Sequence, residues 1–127
     1  MSWTAGPVAT SSYAVVFRDN TNGLVHSVIW DIPGTVHSLS ENVENTARPG
    51  TPAGARQAHA YDGQYGYSGP CPGGEVHDYE FELIAVNVAT VPGLSADPES
   101  AAVVTALAQH TAARAKLAVR SNASPPP

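Results

Sequence analysis

The sequence predicts a loop-rich, mainly β domain, and three observations lead to that fold class. Charged residues make up 13% of the 127 positions, about half the usual ~25% of globular proteins. The chain contains 11 glycines and 11 prolines, residues that mark turns and interrupt helices. Several short segments are apolar or alternate apolar and polar residues, as strands do. The length fits one domain, which we expect at residues 1–120, followed by a disordered, proline-rich tail at 121–127.

Two segments near the N-terminus predict a β-hairpin. Ser12–Phe17 is a short apolar run rich in β-forming residues, and Leu24–Ile32 reads as the partner strand. Between them, Asp19–Gly23 favours a turn because Asn and Gly tolerate positive φ. Strict alternation along the second strand predicts one face made of Leu24, His26, Val28, Trp30 and Ile32.

The middle of the chain predicts a long loop and the clearest strand. Thr35–Gly54 is expected to be mostly loop, with a weak strand at Ala55–Ala60, and Tyr61–Gly74 is an aromatic, Gly/Pro-rich loop. Val76–Val88 alternates with a period of two. Its acidic residues are expected on a solvated face: Asp78, Glu80 and Glu82.

One helix and a final strand are predicted toward the C-terminus. Asp97-Pro98-Glu99 is typical of a helix start, with Asp97 as N-cap and Pro98 at the first helical position. This helix should end near Thr111 and bury Val103, Val104, Leu107 and Ala108. The alternation of apolar and charged side chains around Lys116 predicts the last strand.

Composition also excludes several classes of partner. The net charge is −5 and the six basic residues are scattered, whereas phosphate-backbone binding needs clustered cations, so no nucleic acid is expected. No apolar run is long enough for a transmembrane segment. As the chain stands it predicts a cytoplasmic protein, and a periplasmic or secreted one if a signal-bearing segment precedes it. Cys71 is the single cysteine, so no intrachain disulfide can form.

Three polar residues are candidates for binding chemistry. His26 lies within a predicted strand, His77 opens the next long strand, and Asp19 ends the strand paired with His26. A buried imidazole needs a partner for its ring N–H, and a carboxylate is the usual one. Protonated imidazoles and the N–H groups of a Gly-rich loop could together bind a small anion.

Two alternatives compete with that interpretation. A histidine on an apolar face is often a core residue with a satisfied hydrogen bond. An Asp with two His could also ligate zinc, but no HExxH or CxxC spacing supports a metal site. No metal or cofactor is therefore expected.

Three segments carry a resemblance to a known family. They are Leu24–Pro33, the Gly-Tyr-Ser-Gly-Pro-Cys-Pro loop at 66–72, and His77–Phe81. Together they resemble the phosphatidylethanolamine-binding protein family, specifically its bacterial Raf-kinase-inhibitor-like branch. The similarity extends from Trp3 to about Val119. The motif departs at Asp19–Gly23, which keeps the family's first Asp but loses its second Asp and both prolines.

The resemblance implies an antiparallel β-sandwich with one or two peripheral helices, and an N-terminus that lacks the family's early strands. It implies a pocket for phosphate headgroups and small anions. The residues lining that pocket would be Asp19, His26, Gly69, Pro70, His77 and Tyr79.

The leading hypothesis is a non-enzymatic protein that binds a small phosphorylated or anionic ligand. The alternative is a kinase- or protease-inhibitor-like interaction module that contacts its protein partner through the 61–74 loop. A third hypothesis is a metal-assisted hydrolase that uses Asp19, His26 and His77.

Overall fold

Five strands form one antiparallel sheet, and a single helix packs against it, in a computed structural model that describes residues 1–60, 62–67 and 75–121. The spatial order of the strands is β3-β2-β1-β4-β5. The elements are β1 (Ser12–Asp19), β2 (Val25–Pro33), β3 (Arg56–Gln57), β4 (His77–Val86), α1 (Ser100–Ala108) and β5 (Thr111–Ser121). The predicted mainly β class is confirmed, and each predicted strand has a counterpart. Positions 122–127, most of the predicted tail, lie outside the described residues.

The sheet carries an apolar layer on each face. On the first, the helix face, Val103 and Leu107 of α1 pack against Val16 and Trp30 of the sheet. On the second, which we call the loop face, Tyr13 and Ile32 pack with partly buried residues of the 36–43 segment. Because both faces are covered, the strands at the centre of the sheet are almost entirely buried.

Two irregularities in β2 overturn the strict alternation predicted for that strand. Phe17 pairs with Ser27 but Arg18 pairs with Val25, so His26 is an extra residue, a β-bulge. A second register shift comes beside Asp31, whose φ of 56° is unusual for a residue with a side chain. Consequently the predicted common face is wrong. The helix face receives Val28 and Trp30, whereas the loop face receives His26 and Ile32.

The acidic residues of β4 are not uniformly solvated. Glu82 is 1% exposed, which contradicts its predicted place on a solvent face. Its carboxylate is held by Arg114 at 2.7 Å, with Arg18 and Lys116 each at 3.6 Å. These cations compensate the burial of the charge, which is otherwise costly. Asp78 is exposed, as predicted.

The helix is shorter than predicted and begins later. Glu99 is its N-cap and makes no side-chain capping hydrogen bond, so the assignments of Asp97 and Pro98 are wrong. The Asp97 carboxylate instead accepts a hydrogen bond from the Tyr65 hydroxyl at 2.6 Å. Val103 and Leu107 are buried as predicted, Val104 is half-buried, and Ala108 is exposed. Among the described residues, no helix is long and apolar enough to cross a membrane.

Candidate functional site

Asp19 and His77 form a hydrogen-bonded pair at one end of the sheet. Asp19 ends β1 and pairs in register with Tyr79, two residues after the start of β4. This register places the His77 Nδ1 2.6 Å from the Asp19 Oδ2. The Asp19 side chain is 2% exposed and the His77 side chain 13% exposed. The pair is therefore held at the protein surface with its carboxylate buried.

The turn after β1 fixes the Asp19 carboxylate in place. Its Oδ1 accepts hydrogen bonds from the backbone N–H groups of Thr21 at 2.8 Å and Asn22 at 3.3 Å, the pattern of an Asx turn. Burial alone would raise the pKa of Asp19, but the hydrogen bonds from His77 and these N–H groups hold that pKa below its usual value. The carboxyl group is thus ionised at neutral pH and acts only as an acceptor.

His77 consequently directs its second nitrogen outward. The hydrogen bond to Asp19 raises the pKa of His77, outweighing the lowering effect of burial, and Glu75 raises it further. Because an ionised Asp19 can only accept, Nδ1 carries the proton of that hydrogen bond. Nε2 then faces the carboxylate of Glu75 at 3.7 Å, and that Glu75 side chain is 84% exposed. A protonated Nε2 can donate to an incoming anion that displaces this exposed carboxylate.

The bulge in β2 places His26 on the same face as this pair. Its ring packs edge-on against Phe17, with centroids 5.4 Å apart, and against Tyr79 at 5.5 Å and 90°. His26 is 3% exposed and Tyr79 is 1% exposed. Bulges often redirect a side chain at functional sites, and here the single extra residue brings the His26 imidazole against Tyr79, the ring that the His77 imidazole also approaches.

Aromatic rings form the floor and one side of the site. Phe17 stacks on Phe81 at 4.3 Å and on Tyr79 at 5.6 Å. Tyr67 lies 5.3 Å from Phe17 and is 54% exposed. The ring of His77 is 6.2 Å from that of Tyr79. The polar groups therefore stand at the edge of an apolar wall that excludes water from one side.

Four of the six predicted site residues come together: Asp19, His26, His77 and Tyr79. Gly69 and Pro70 lie outside the described residues. Sequence reasoning missed Phe17, which contacts His26 and Tyr79, and also Glu75 and the turn N–H donors. Phe17 could have been found from its place two residues before Asp19 on the same strand, since alternate residues share a face.

Metal-ligating residues do not converge within the described ranges. In 1–60, 62–67 and 75–121, no group of three or more His, Cys, Asp or Glu side chains is placed to hold a metal ion. Asp19 and His77 are bonded to each other, and His26 packs among aromatic rings.

Comparison with known proteins identifies the family. The family model described as phosphatidylethanolamine-binding protein matches residues 1–122, nearly the whole chain. The chain belongs to the phosphatidylethanolamine-binding protein family. A UPF0098 protein of Methanothermobacter thermautotrophicus is 34% identical over 120 residues, which covers 92% of this chain and 77% of the relative.

Solved structures agree with this membership. YbcL of Escherichia coli, described as a member of the mammalian PEBP family, superposes with a TM-score of 0.80 at 25% identity, covering 97% of this chain and 78% of YbcL. The PEBP homologue CT736 of Chlamydia trachomatis gives a TM-score of 0.71 at 22% identity, covering 97% and 79%, and supports the fold alone. The predicted family and its fold are confirmed.

Proposed function

We propose that this protein is a non-enzymatic binding protein that holds a small phosphate-containing or other anionic ligand beside His77 and His26. Membership of the phosphatidylethanolamine-binding protein family supports a binding role. The observation that carries the proposal is the part-buried hydrogen bond between Asp19 and His77. It keeps Nδ1 occupied and leaves Nε2, which faces the exposed Glu75 carboxylate, as the donor for an anion that displaces Glu75.

The positive charge of the His77 imidazolium would attract an anion to this position. The raised pKa of His77 increases the fraction of imidazolium near neutral pH. A charge-assisted N–H···O bond to phosphate is stronger than its neutral equivalent. The apolar wall of Phe17 and Tyr79 lowers the local dielectric and strengthens that attraction further.

The test is an NMR titration with O-phosphoethanolamine near pH 6.5 that follows the ring protons of His26 and His77. A bound phosphate should raise the pKa of His77 further, with saturable shifts confined to the two rings and nearby amides. His77→Ala should abolish the response. His110→Ala is the matched control. The His110 backbone oxygen accepts a hydrogen bond from Asn87, just after the C-terminal end of β4, whereas His77 begins that strand. The substitution should leave binding unchanged.

The outcomes separate the hypotheses. A folded protein whose spectrum does not respond would contradict anion binding and favour the interaction module that contacts a protein partner through the 61–74 loop. Binding of a protein partner that survives His77→Ala would point the same way.

A further inference from the structure

The outer edge of β5 has no strand partner within residues 1–60, 62–67 and 75–121. β5 is the last strand in the order of the sheet, and its inner edge pairs with β4 along almost its whole length. An edge strand of 11 residues presents a row of backbone N–H and C=O groups on its outer side. Such a row can form hydrogen bonds with a strand of another chain.

The charged side chains of β5 are bound to acids of β4. Arg114 contacts Glu82 at 2.7 Å, and Lys116 contacts the same carboxylate at 3.6 Å. Arg120 contacts Asp78 at 2.9 Å. Cations on an edge strand usually deter pairing with another chain. Here the acids of β4 offset part of the repulsion that these cations would exert on an approaching strand.

The loop-face side chains of β5 are small in its first half and large in its second. Ala113 and Ala115 come first, and Leu117 and Val119 follow, 59% and 36% exposed. Beside the two alanines lies a cavity of about 320 Å³, lined mostly by apolar side chains that include Trp3. An apolar cavity and two exposed apolar side chains therefore lie along the same strand.

Antiparallel pairing of two copies of β5 would bring these two halves together. If Lys116 lies on the two-fold axis, Leu117 of one copy lies opposite Ala115 of the other. Val119 then lies opposite Ala113. Side chains directly opposite each other have Cβ atoms about 4.5–5.5 Å apart, so the large side chains of one copy reach the cavity of the other. The two-fold axis makes each contact occur twice.

This register also separates most of the cations. Arg114 lies opposite Ala118, and the symmetry repeats the pair. Arg120 lies opposite Ala112. Within β5, Lys116 on the axis is then the one like-charge pair. A shift of two residues in either direction would place Arg114 opposite Lys116 or opposite Arg120, twice each. Like charges directly opposite each other are destabilising, so these registers are less favourable.

We propose that a second copy of this chain binds at the outer edge of β5 and forms a two-fold symmetric dimer with Lys116 at the axis. The two five-stranded sheets would join into one continuous sheet. Leu117 and Val119 of each copy would enter the cavity of the other. The inference is independent of the proposed function. One strand from each copy makes a small interface, so the dimer should dissociate on dilution.

The test combines sedimentation velocity over a dilution series with NMR of a mixture of labelled and unlabelled protein. We expect a monomer at low concentration and a dimer at millimolar concentration. Isotope-filtered NOEs should link the methyl groups of Leu117 in one copy to Ala115 in the other. A second set should link Val119 to Ala113. A monomer at every concentration would overturn the proposal, and so would a dimer that shows neither contact.

Leu117→Ser tests the apolar part of the interface. It removes one apolar side chain from each copy and should weaken dimerisation about tenfold or more. Because Leu117 is 59% exposed, the fold of the monomer should tolerate the change. Val8→Ser is the control, since Val8 is fully exposed and lies outside β5. Equal dimerisation of the two variants would contradict the proposed contact.

Ala118→Lys tests the register without weakening the monomer. The new lysine would lie opposite Arg114 of the second copy and should weaken dimerisation several-fold. Within its own chain the same lysine lies opposite Glu80 of β4, so thermal unfolding of dilute protein should show no loss of stability. Ala102→Lys adds the same charge at an exposed position of α1 and should leave dimerisation unchanged. Equal dimerisation of the two lysine variants would overturn the proposal.

Discussion

The imidazole Nδ1 of His77 lies 2.6 Å from the carboxylate Oδ2 of Asp19, across 58 residues of sequence. The pairing of β1 with β4 produces this contact, since Asp19 and Tyr79 are partners in the ladder. The pair fixes the charge state of the carboxylate and leaves Nε2 as the ring nitrogen that faces Glu75. Anion binding should therefore depend on Asp19 even though Asp19 does not itself contact the anion.

Asp19→Asn should lower the pKa of His77 toward its ordinary value of 6.5. Asparagine keeps an oxygen that can accept the turn N–H groups but removes the charge that stabilises imidazolium. Titration of the His77 ring protons by NMR measures the change. Asp97→Asn is the control. It removes a carboxylate that bonds to Tyr65 and should leave the pKa of His77 unchanged. An unchanged His77 pKa in Asp19→Asn would contradict the assigned role.

The Asp19–His77 pair should stabilise the fold most between about pH 4 and pH 6.5. The folded-state pKa of His77 is raised from 6.5, so its contribution is complete below 6.5 and is lost as pH rises through the folded pKa. The pKa of Asp19 is lowered from 3.8, so its contribution is present above 3.8 and is lost as pH falls through the folded pKa. Denaturant unfolding at several pH values should show His77→Ala losing the dependence due to His77 and weakening the one due to Asp19, whose carboxylate still accepts the two turn N–H groups.

Glu75→Gln should increase affinity for an anion several-fold at pH 6 and low salt. The Glu75 carboxylate lies 3.7 Å from the His77 Nε2 and is exposed, so it competes with an anion for the same donor. The pH of 6 lies below the ordinary histidine pKa of 6.5, which Asp19 raises in both proteins, so the change in the pKa of His77 has little effect. Added salt should reduce the difference by screening.

Asp78→Asn is the control for Glu75→Gln, because it removes the same charge close to His77. Asp78 pairs instead with Arg120, an exposed ion pair at 2.9 Å, and should change anion affinity little. Equal gains in both variants would indicate a general effect of net charge. Calorimetric or NMR titration with inorganic phosphate distinguishes the two results.

Gly66→Ala should destabilise the fold more than Gly63→Ala. Both glycines have positive φ, 83° and 78°, so each alanine meets the left-handed penalty of about 1–2 kcal/mol. A Cβ on Gly66 would also lie 2.5 Å from the Asn45 Oδ1, whereas one on Gly63 meets nothing within 4 Å. Overpacking adds about 1–3 kcal/mol. Equal unfolding free energies for the two variants would show that Asn45 can move away from the added methyl group at no cost in stability.

Much of the fold could be predicted because local patterns determine it. The hairpin of β1 and β2 follows from β-forming residues around a turn that tolerates positive φ, and β4 follows from its alternation. Burial of Glu82 could not be predicted, because its compensating cations come from β1 and β5, distant in sequence. The helix start was misplaced because the Asp97 carboxylate bonds to Tyr65 rather than to the helix.

The site could be predicted in its members but not in its geometry. Residue type and strand position nominate Asp19, His26 and His77, and a carboxylate beside an imidazole suggests their chemistry. The pairing of Asp19 with His77 rather than with His26 depends on the register between β1 and β4. The face that His26 occupies depends on a β-bulge, which a strict alternation of faces along the strand cannot predict.

The two register shifts of β2 make the site sensitive to the number of residues in that strand. Between them, even-numbered positions such as Val28 supply the helix-face core, while at the two ends His26 and Ile32 reach the other face. Deleting one residue next to His26 would restore regular pleating at the bulge and carry the imidazole away from Tyr79. The site would lose its geometry even though His26 and its other side chains were still present. In evolutionary terms, single-residue indels in this strand should be under stronger selection than many substitutions.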